Sequence, residues 1–362
     1  MMERDVAVAT CDEVVKMADF GSFLPGTVLD GRYRLVRLLA QGGMGAVWVG
    51  EQVTLQREVA IKLLRLPAEA LHARLQREAL ALAAVHHPAV VQVYDYGETE
   101  EKVPYLVMEF VKGETVGAKL HKTGTFSAPE AAILMLPLLD GLNAAHAVGI
   151  IHRDIKPDNV LLCNGPSGVL PKLLDFGIAR RDQSEAARLT AEGGLIGTPA
   201  YMAPEQVRGA PTDERTDVWG MGVLFYEMIA GKPPFGVEDV IVVIRRVLDD
   251  PPPFPTNAVG LDGKLWAVLM NALRKNPAER TPSARAFRDA IAGWLSTRGI
   301  VPFSEGAPRG AETTQPAATP FTSAAAATIQ SERASSAGTP PPSDPENPGR
   351  AALDALIRQK LR

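Results

Sequence analysis

From Tyr33 onward the chain sets short apolar runs between turn signals. RYRLVRLL, AVWVGEQ and REVAIKLLR read as three successive strands. Leu71, Leu75, Ala79, Leu82 and Val85 then recur at helical spacing, and His86-His87-Pro88 stops the run. VVQVYDYGE and VPYLVMEFV read as two more strands, parted by the polar ETEEK, which makes five strands and one helix. Past Gly113 the pattern turns helical, over 116–122, 129–148, 216–231, 237–249, 261–274 and 283–296, with strand-like pieces only near 160–163 and 171–174. A small β-rich unit followed by a larger α-rich one predicts an α+β, bilobal fold, with the crevice between the lobes as the default ligand site.

The flanks differ from this core. Residues 1–32 form an N-terminal extension in which Val14, Val15, Met17 and Ala18 suggest a short helix, ended by Gly21, Pro25 and Gly26. Residues 298–348 are rich in Ala, Pro, Ser, Thr and Gly and poor in large apolar side chains, a composition that predicts disorder. In 349–362, Leu353, Leu356, Ile357 and Leu361 share one helical face, which predicts a short amphipathic helix.

Totals narrow the class. A hydrophobic fraction of 46% and a charged fraction of 22% fit a globular protein, and a formal net charge of −4 gives no basic excess for nucleic acid. Two cysteines, Cys11 and Cys163, make neither a disulfide framework nor a metal set. The most apolar stretch, 131–151, is broken by Pro137, Asp140, Asn143 and His146, so it reads as a buried helix rather than a membrane span. The acidic start, without a long apolar run, does not read as a signal peptide, and the expected location is the cytoplasm.

Candidate chemistry gathers at three places. LLAQGGMGAVW puts three glycines, Gly42, Gly43 and Gly45, within four positions between strands, where backbone without Cβ atoms can close over phosphates. Lys62, one strand later, is placed to reach a bound phosphate. In IIHRDIKPDNVLL a dense set of charges interrupts apolar runs, so they must be paired or must bind something charged. Asp175 emerges from the apolar run KLLDFG, and hard cations such as Mg²⁺ want oxygen ligands of the kind that Asp175 and Asn159 carry.

Together QGGMGAV, VAIK, HRDIKPDN, DFG, GTPAYMAPE and DVWGMG, in this order, resemble the eukaryotic-type protein kinases, specifically the bacterial Ser/Thr kinase family, over residues 33–297. The resemblance implies an N-lobe over 33–112 and a C-lobe over 113–297. It also implies an ATP-dependent transfer of the γ-phosphate to Ser/Thr hydroxyls, autophosphorylation and a role in bacterial signalling. ATP is implied as nucleotide, with Mg²⁺, or Mn²⁺ in its place. Ser/Thr-bearing proteins are the implied substrates, with a homodimer through the N-lobe as a further implied partner.

Carried over residue by residue, the nucleotide would meet Leu39, Ala40, Gln41, Gly42, Gly43, Met44, Gly45 and Val47 of the lid, Ala60 and Lys62 of the next strand, and Met108, Glu109 and Val111 at the adenine edge. Ala40 replaces the first glycine of the family's loop, and one extra methyl implies weaker nucleotide affinity rather than loss of binding. Lys62 would hold phosphates while paired with Glu78, sixteen residues on. Asp154 would take the substrate hydroxyl's proton, Lys156 would neutralise the transferred phosphoryl group, and Asn159 and Asp175 would ligate the metal. His152 would pack against Phe176, Asp217 would hold the catalytic-loop backbone, Glu205 would pair with Arg280, and Cys163 would be a small buried apolar residue. Arg153 would sense a phosphate on the activation loop, with Thr190 as the first acceptor and Ser184 as the second. Glu192 would be a solvated residue or a stand-in charge, and Thr198 a packing and substrate-contact residue near Asp154. A pseudokinase scaffold is the rival reading, and the presence of Lys62, Glu78, Asp154, Asn159 and Asp175 weighs against it.

Overall fold

The structure is a computed structural model that describes residues 23–300 apart from 43–44, 65–71, 166–167 and 177–198. The N-terminal extension up to residue 22, the tail from residue 301 and the C-terminal helix lie outside the described residues.

β1 (Val28–Leu29), β2 (Tyr33–Gly42), β3 (Gly45–Gln52), β4 (Arg57–Leu64), β5 (Val93–Glu98) and β6 (Pro104–Glu109) form an antiparallel sheet in the order β1-β2-β3-β4-β6-β5. Leu35, Val59, Ile61, Leu63, Tyr105 and Val107 point into one buried cluster of this lobe. Such strands alternate between a packed face and a solvated one. β1 falls below the length at which alternation shows in sequence and exists only through its pairing with β2, Val28 opposite Arg34. α1 (His72–Ala83) buries Leu75, Ala79 and Leu82. These join a core cluster that runs through Val93 and Leu106 into the helical lobe, so α1 is packed into the interior shared by both lobes.

The helical lobe starts with β7 (Gly113–Thr115) and α2 (Val116–Thr123), then α3 (Ala128–Ala147). α3 opens with a capping box: Ser127 N–H donates to the Glu130 carboxylate at 2.9 Å, and Ser127 Oγ accepts from Glu130 N–H. It is the apolar stretch that the sequence reads as a buried helix, and Ala131, Met135, Leu138, Leu139 and Leu142 are fully buried in it. β8 (Val160–Gly165) and β9 (Gly168–Leu173) form a hairpin, and β7 adds to it, with Gly113 opposite Cys163. β7 was not legible as a strand because three residues carry no period; its partner lies far along the chain.

α4 (Pro204–Val207), α5 (Glu214–Ala230), α6 (Val240–Asp249), α7 (Gly263–Ala272) and α8 (Ala284–Thr297) complete the lobe. α5 is buried almost all round and ends at Gly231, whose φ of 80° is the left-handed conformation that glycine adopts at helix ends. Each of α5 to α8 overlaps a run expected from helical spacing, with ends shifted by a few residues. Among the described residues no helix is long and apolar enough to cross a membrane.

Candidate active site

The lid comes first. β2 and β3 form a hairpin in which Ala40 pairs with Val47, Gln41 with Ala46 and Gly42 with Gly45, after an irregularity between Leu38 and Ala40. Gly43 and Met44, at its tip, lie outside the described residues. The two described glycines differ. Gly45 has φ of 146°, and a Cβ there would stand 2.0 Å from the Leu63 carbonyl oxygen, so close approach of β3 to β4 demands glycine. A Cβ on Gly42 would meet nothing within 4 Å. Leu39, Ala40, Gln41 and Gly42 are exposed along the strand, whereas Val47 is partly covered.

β4 carries Ala60 and Lys62 beneath this lid, with Val47 opposite Lys62 on one side and Met108 opposite Ala60 on the other. Sheet register therefore brings together lid, lysine and the edge where the chain crosses between lobes. Glu109 N–H donates to the Gln92 carbonyl at 2.8 Å, which spends that donor inside the protein. Val111 N–H and C=O take no hydrogen bond among the described residues, so both remain to face a ligand.

The loop after α3 supplies the other wall. His152 is fully buried, and its ring lies 4.5 Å from that of Phe176. Nε2 donates to the Leu174 carbonyl at 2.8 Å and Nδ1 accepts from Asp154 N–H at 3.3 Å, an arrangement that suits the neutral ring. Burial pushes the His152 imidazole below its ordinary range, although Asp217 and Asp154 pull the other way. His152 thus orients the loop and links it to the strand that precedes Asp175.

Asp154 Oδ2 takes Lys156 Nζ at 3.1 Å and Asn159 Nδ2 at 3.0 Å, and the same Asn159 amide donates to the Asp154 carbonyl at 2.7 Å. With Nδ2 spent twice, Asn159 has only its Oδ1 to offer a further partner. Asp175, at φ of 50°, points its carboxylate back at β4, where Lys62 Nζ stands 2.8 Å from Oδ1. Burial opposes the charge on Asp175, but Lys62, and more weakly His152 and Lys156, hold its carboxyl below the usual range. In this structure the Asp175 carboxylate neutralises Lys62, because Asp175 turns out of its strand toward β4.

The anchors lie deeper. Asp217 of α5 accepts backbone N–H of His152 at 2.7 Å and of Arg153 at 2.8 Å, as the DVWG motif implied. Glu205 and Arg280 form a buried pair, 2.8 Å and 2.9 Å, and Arg280 also donates to the Arg215 carbonyl. Cys163 is buried, with its thiol against the Leu170 carbonyl. Arg153 donates from Nε to Thr212 Oγ1 at 3.1 Å and has φ of 61°. Thr190, Ser184, Thr198 and Glu192 lie outside the described residues.

Three site residues were missed in sequence. Lys172 of β9 makes a two-oxygen contact to Glu109, 2.8 Å to each, which ties the crossing strand to the hairpin of the helical lobe. The signal was a lysine in an apolar run, as for Lys62. His146, near the end of α3, donates from Nε2 to Asp217 at 2.8 Å. Glu227 is a carboxylate in the apolar C-terminal half of α5, raised by burial to about 7, with Tyr201 donating to it and Asp158 nearby.

The protein-kinase-domain family model matches residues 33–289. The chain is similar to the "Probable serine/threonine-protein kinase PknB" of Corynebacterium glutamicum, 38% identical over 272 residues, 71% of this chain and 41% of that protein. It is similar to the "Serine/threonine-protein kinase pkn2" of Myxococcus xanthus, 42% identical over 276 residues, 73% of this chain and 32% of that protein. It is also 38% identical over 275 residues to the "Serine/threonine-protein kinase PknA" of Mycobacterium tuberculosis, 74% of this chain and 62% of that protein. The matched region thus spans less than two thirds of these relatives' own lengths.

Proposed function

The chain belongs to the protein kinase family, the bacterial Ser/Thr group, and from that premise we propose that it is an active protein serine/threonine kinase that uses ATP. The observation that carries the reading is the convergence in one crevice of Lys62, Lys156, Asp154, Asn159 and Asp175, where Asp175 is held ionised by both lysines.

Adenine sits under Ala60 and beside Met108, with the Glu109 carbonyl and the open Val111 groups as its polar partners. The triphosphate runs beneath Leu39, Ala40, Gln41, Gly42 and Gly45 toward Lys62. Phosphoryl transfer asks little covalent help from protein; it needs in-line positioning and positive charge at the phosphate oxygens. The substrate hydroxyl oxygen forms a bond to the γ-phosphorus, the bond from γ-phosphorus to the bridging oxygen breaks, and ADP leaves. Asp154 orients that hydroxyl and takes its proton, and Lys156, 3.1 Å from Asp154, balances charge on the moving group. The donor set suits Mg²⁺, which favours one or two protein oxygens beside phosphates; the Asn159 Oδ1 and the Asp175 carboxylate are those oxygens. When bound, the metal supplies positive charge at the phosphates. Lys62, paired with Asp175 here, exchanges that partner for phosphate and for Glu78 once nucleotide binds.

Protein Ser/Thr side chains are the proposed acceptors, and a cytoplasmic location fits the absence of an apolar spanning helix among the described residues. Thr190 is the proposed first autophosphorylation site, read by Arg153. The test is incubation with labelled ATP and Mg²⁺ beside Asp154→Asn, with labelled residues mapped by mass spectrometry. Label in the wild type and none in the variant is expected; no label in either overturns the proposal.

A further inference from the structure

Two sheets meet where the chain crosses between the lobes. β6 ends at Glu109 in the N-lobe sheet and β7 begins at Gly113 in the sheet of the helical lobe, so Phe110, Val111 and Lys112 make the crossing. Lys112 pairs with Glu58 of β4 at 2.9 Å, but these side chains are 76% and 58% exposed, and such surface pairs contribute little. Lys172 of β9 stands 2.8 Å from each oxygen of the Glu109 carboxylate, with the two side chains only 13% and 28% exposed. Solvent and salt screen a partly buried pair of this kind far less. A second link therefore joins the two sheets, made by side chains.

Each end of that link is built into a larger unit. Glu109 N–H donates to the Gln92 carbonyl at 2.8 Å, and Gln92 N–H approaches the Glu109 carboxylate at 3.4 Å. The Gln92 side-chain amide donates in turn to the carbonyl of Ala83, the last residue of α1, at 2.9 Å. Leu173, next to Lys172, accepts from Val91 N–H at 3.1 Å and donates to the Ala89 carbonyl at 2.8 Å. The chain between α1 and β5 is thus fastened to β9 by its backbone, and the adenine edge is fastened to β9 by Lys172. Asp175, the carboxylate that meets Lys62, follows on the same segment.

We propose that Glu109 and Lys172 form a latch across the lobe junction that retains the nucleotide, which makes Lys172 a positioning residue for phosphoryl transfer. The proposal rests on the nucleotide reading above, in which the Glu109 carbonyl and the Val111 groups face adenine. With the latch closed, the backbone that meets the base and the segment that leads to Asp175 move as one body. With it broken, the crossing is left to the backbone of Phe110, Val111 and Lys112, and the lobes part more readily. Changes of this kind within one complex act mostly on the rate of release rather than on the rate of entry.

The probe is fluorescently labelled ADP with Mg²⁺, and the measurement is its release from the full chain by stopped flow. Lys172→Met and Glu109→Met keep the aliphatic bulk and remove the charge. Each should release ADP about tenfold faster, the loss of a charge-assisted contact. Glu109→Met/Lys172→Met strands no charge and should release it faster than the wild type, but no faster than the faster single variant. Lys172→Arg keeps a two-oxygen grip on the carboxylate and should return release to near the wild-type rate. A pair that served stability alone would lower the melting temperature of the single variants and leave release unchanged.

Unchanged release in the double variant, single effects that multiply in the double, or no recovery with arginine would each overturn the proposal. Where a single variant fails to fold, the double variant and Lys172→Arg decide. A wild type that binds no labelled ADP overturns the nucleotide reading instead. The latch is then read by hydrogen exchange in the nucleotide-free protein. Both single variants should exchange faster in peptides covering 107–113 and 170–175 together, and faster exchange confined to the segment that carries the substitution would refute the latch.

Discussion

Asp217 holds the His152 backbone: its Oδ2 accepts the His152 N–H at 2.7 Å, while Oδ1 accepts that of Arg153 at 2.8 Å. A fully buried carboxylate on α5 therefore sets the start of the loop that carries Asp154, Lys156 and Asn159. Asp217→Ala removes both acceptor oxygens and leaves three donors unpaired, the His152 and Arg153 N–H groups and His146 Nε2. Displacement of reacting groups by about 1 Å can cost about 10²-fold in rate. The expected result is a fall in kcat of about that size with KM for ATP little changed, since the adenine edge lies elsewhere. Steady-state kinetics on a peptide substrate checks it; a proportionate rise in KM for ATP with kcat intact would refute it.

Glu205 and Arg280 meet 75 residues apart in sequence with both side chains almost wholly buried. Breaking such a pair from one side strands a charge, at about 3–5 kcal/mol. Arg280→Met should lose that much in urea unfolding, and Glu205→Leu/Arg280→Met should recover a large part of it. If the double variant were as unstable as the single one, the stranded charge would not be the cause.

The lid glycines separate two demands. Gly45→Ala places a Cβ 2.0 Å from the Leu63 carbonyl at a φ of 146°, so strand approach is disturbed and stability falls by about 1–3 kcal/mol. Gly42→Ala meets open space and should leave stability nearly unchanged. Ala40→Gly removes a methyl from an exposed position within β2 and should lower KM for ATP, at a stability cost of about 0.5–1 kcal/mol. Melting curves with ATP titrations on the three variants check the order; equal stability of Gly42→Ala and Gly45→Ala would sink it.

Local patterns revealed the crevice because its chemistry is carried by contiguous segments. Asp154, Lys156 and Asn159 lie within six residues, and Asp175 directly follows an apolar run. What stayed hidden depends on pairing across the fold. His146 reaches Asp217 across 71 residues, and Lys172 reaches Glu109 across 63. Neither separation leaves a period in the chain. β1 and β7 are too short to alternate and take their form from β2 and β8. The contact between Lys62 and Asp175 was hidden for a similar reason, because the left-handed turn at Asp175, which aims its carboxylate at β4, has no local signal in a non-glycine residue.

Glu227 gives a pH dependence of definite sign. Burial raises its carboxyl from 4.5 to about 7, against the pull of the Tyr201 hydroxyl, and its Oε2 has no hydrogen-bond partner. Between pH 4.5 and 7 the unfolded chain has lost this proton while the folded one keeps it. The folded state then binds more protons, so this group's contribution to stability falls as pH rises through that window, and the penalty is complete above pH 7. His152 works in the opposite direction, since its folded pKa is lowered. The difference between wild type and Glu227→Gln isolates the carboxyl. Glutamine keeps an acceptor for Tyr201 and never ionises. The variant should match the wild type near pH 4.5 and exceed it in unfolding free energy at pH 8, with the gap opening between these values. A gap that is constant with pH, or one that opens toward acid, would show that Glu227 is ionised at ordinary pH in the folded protein.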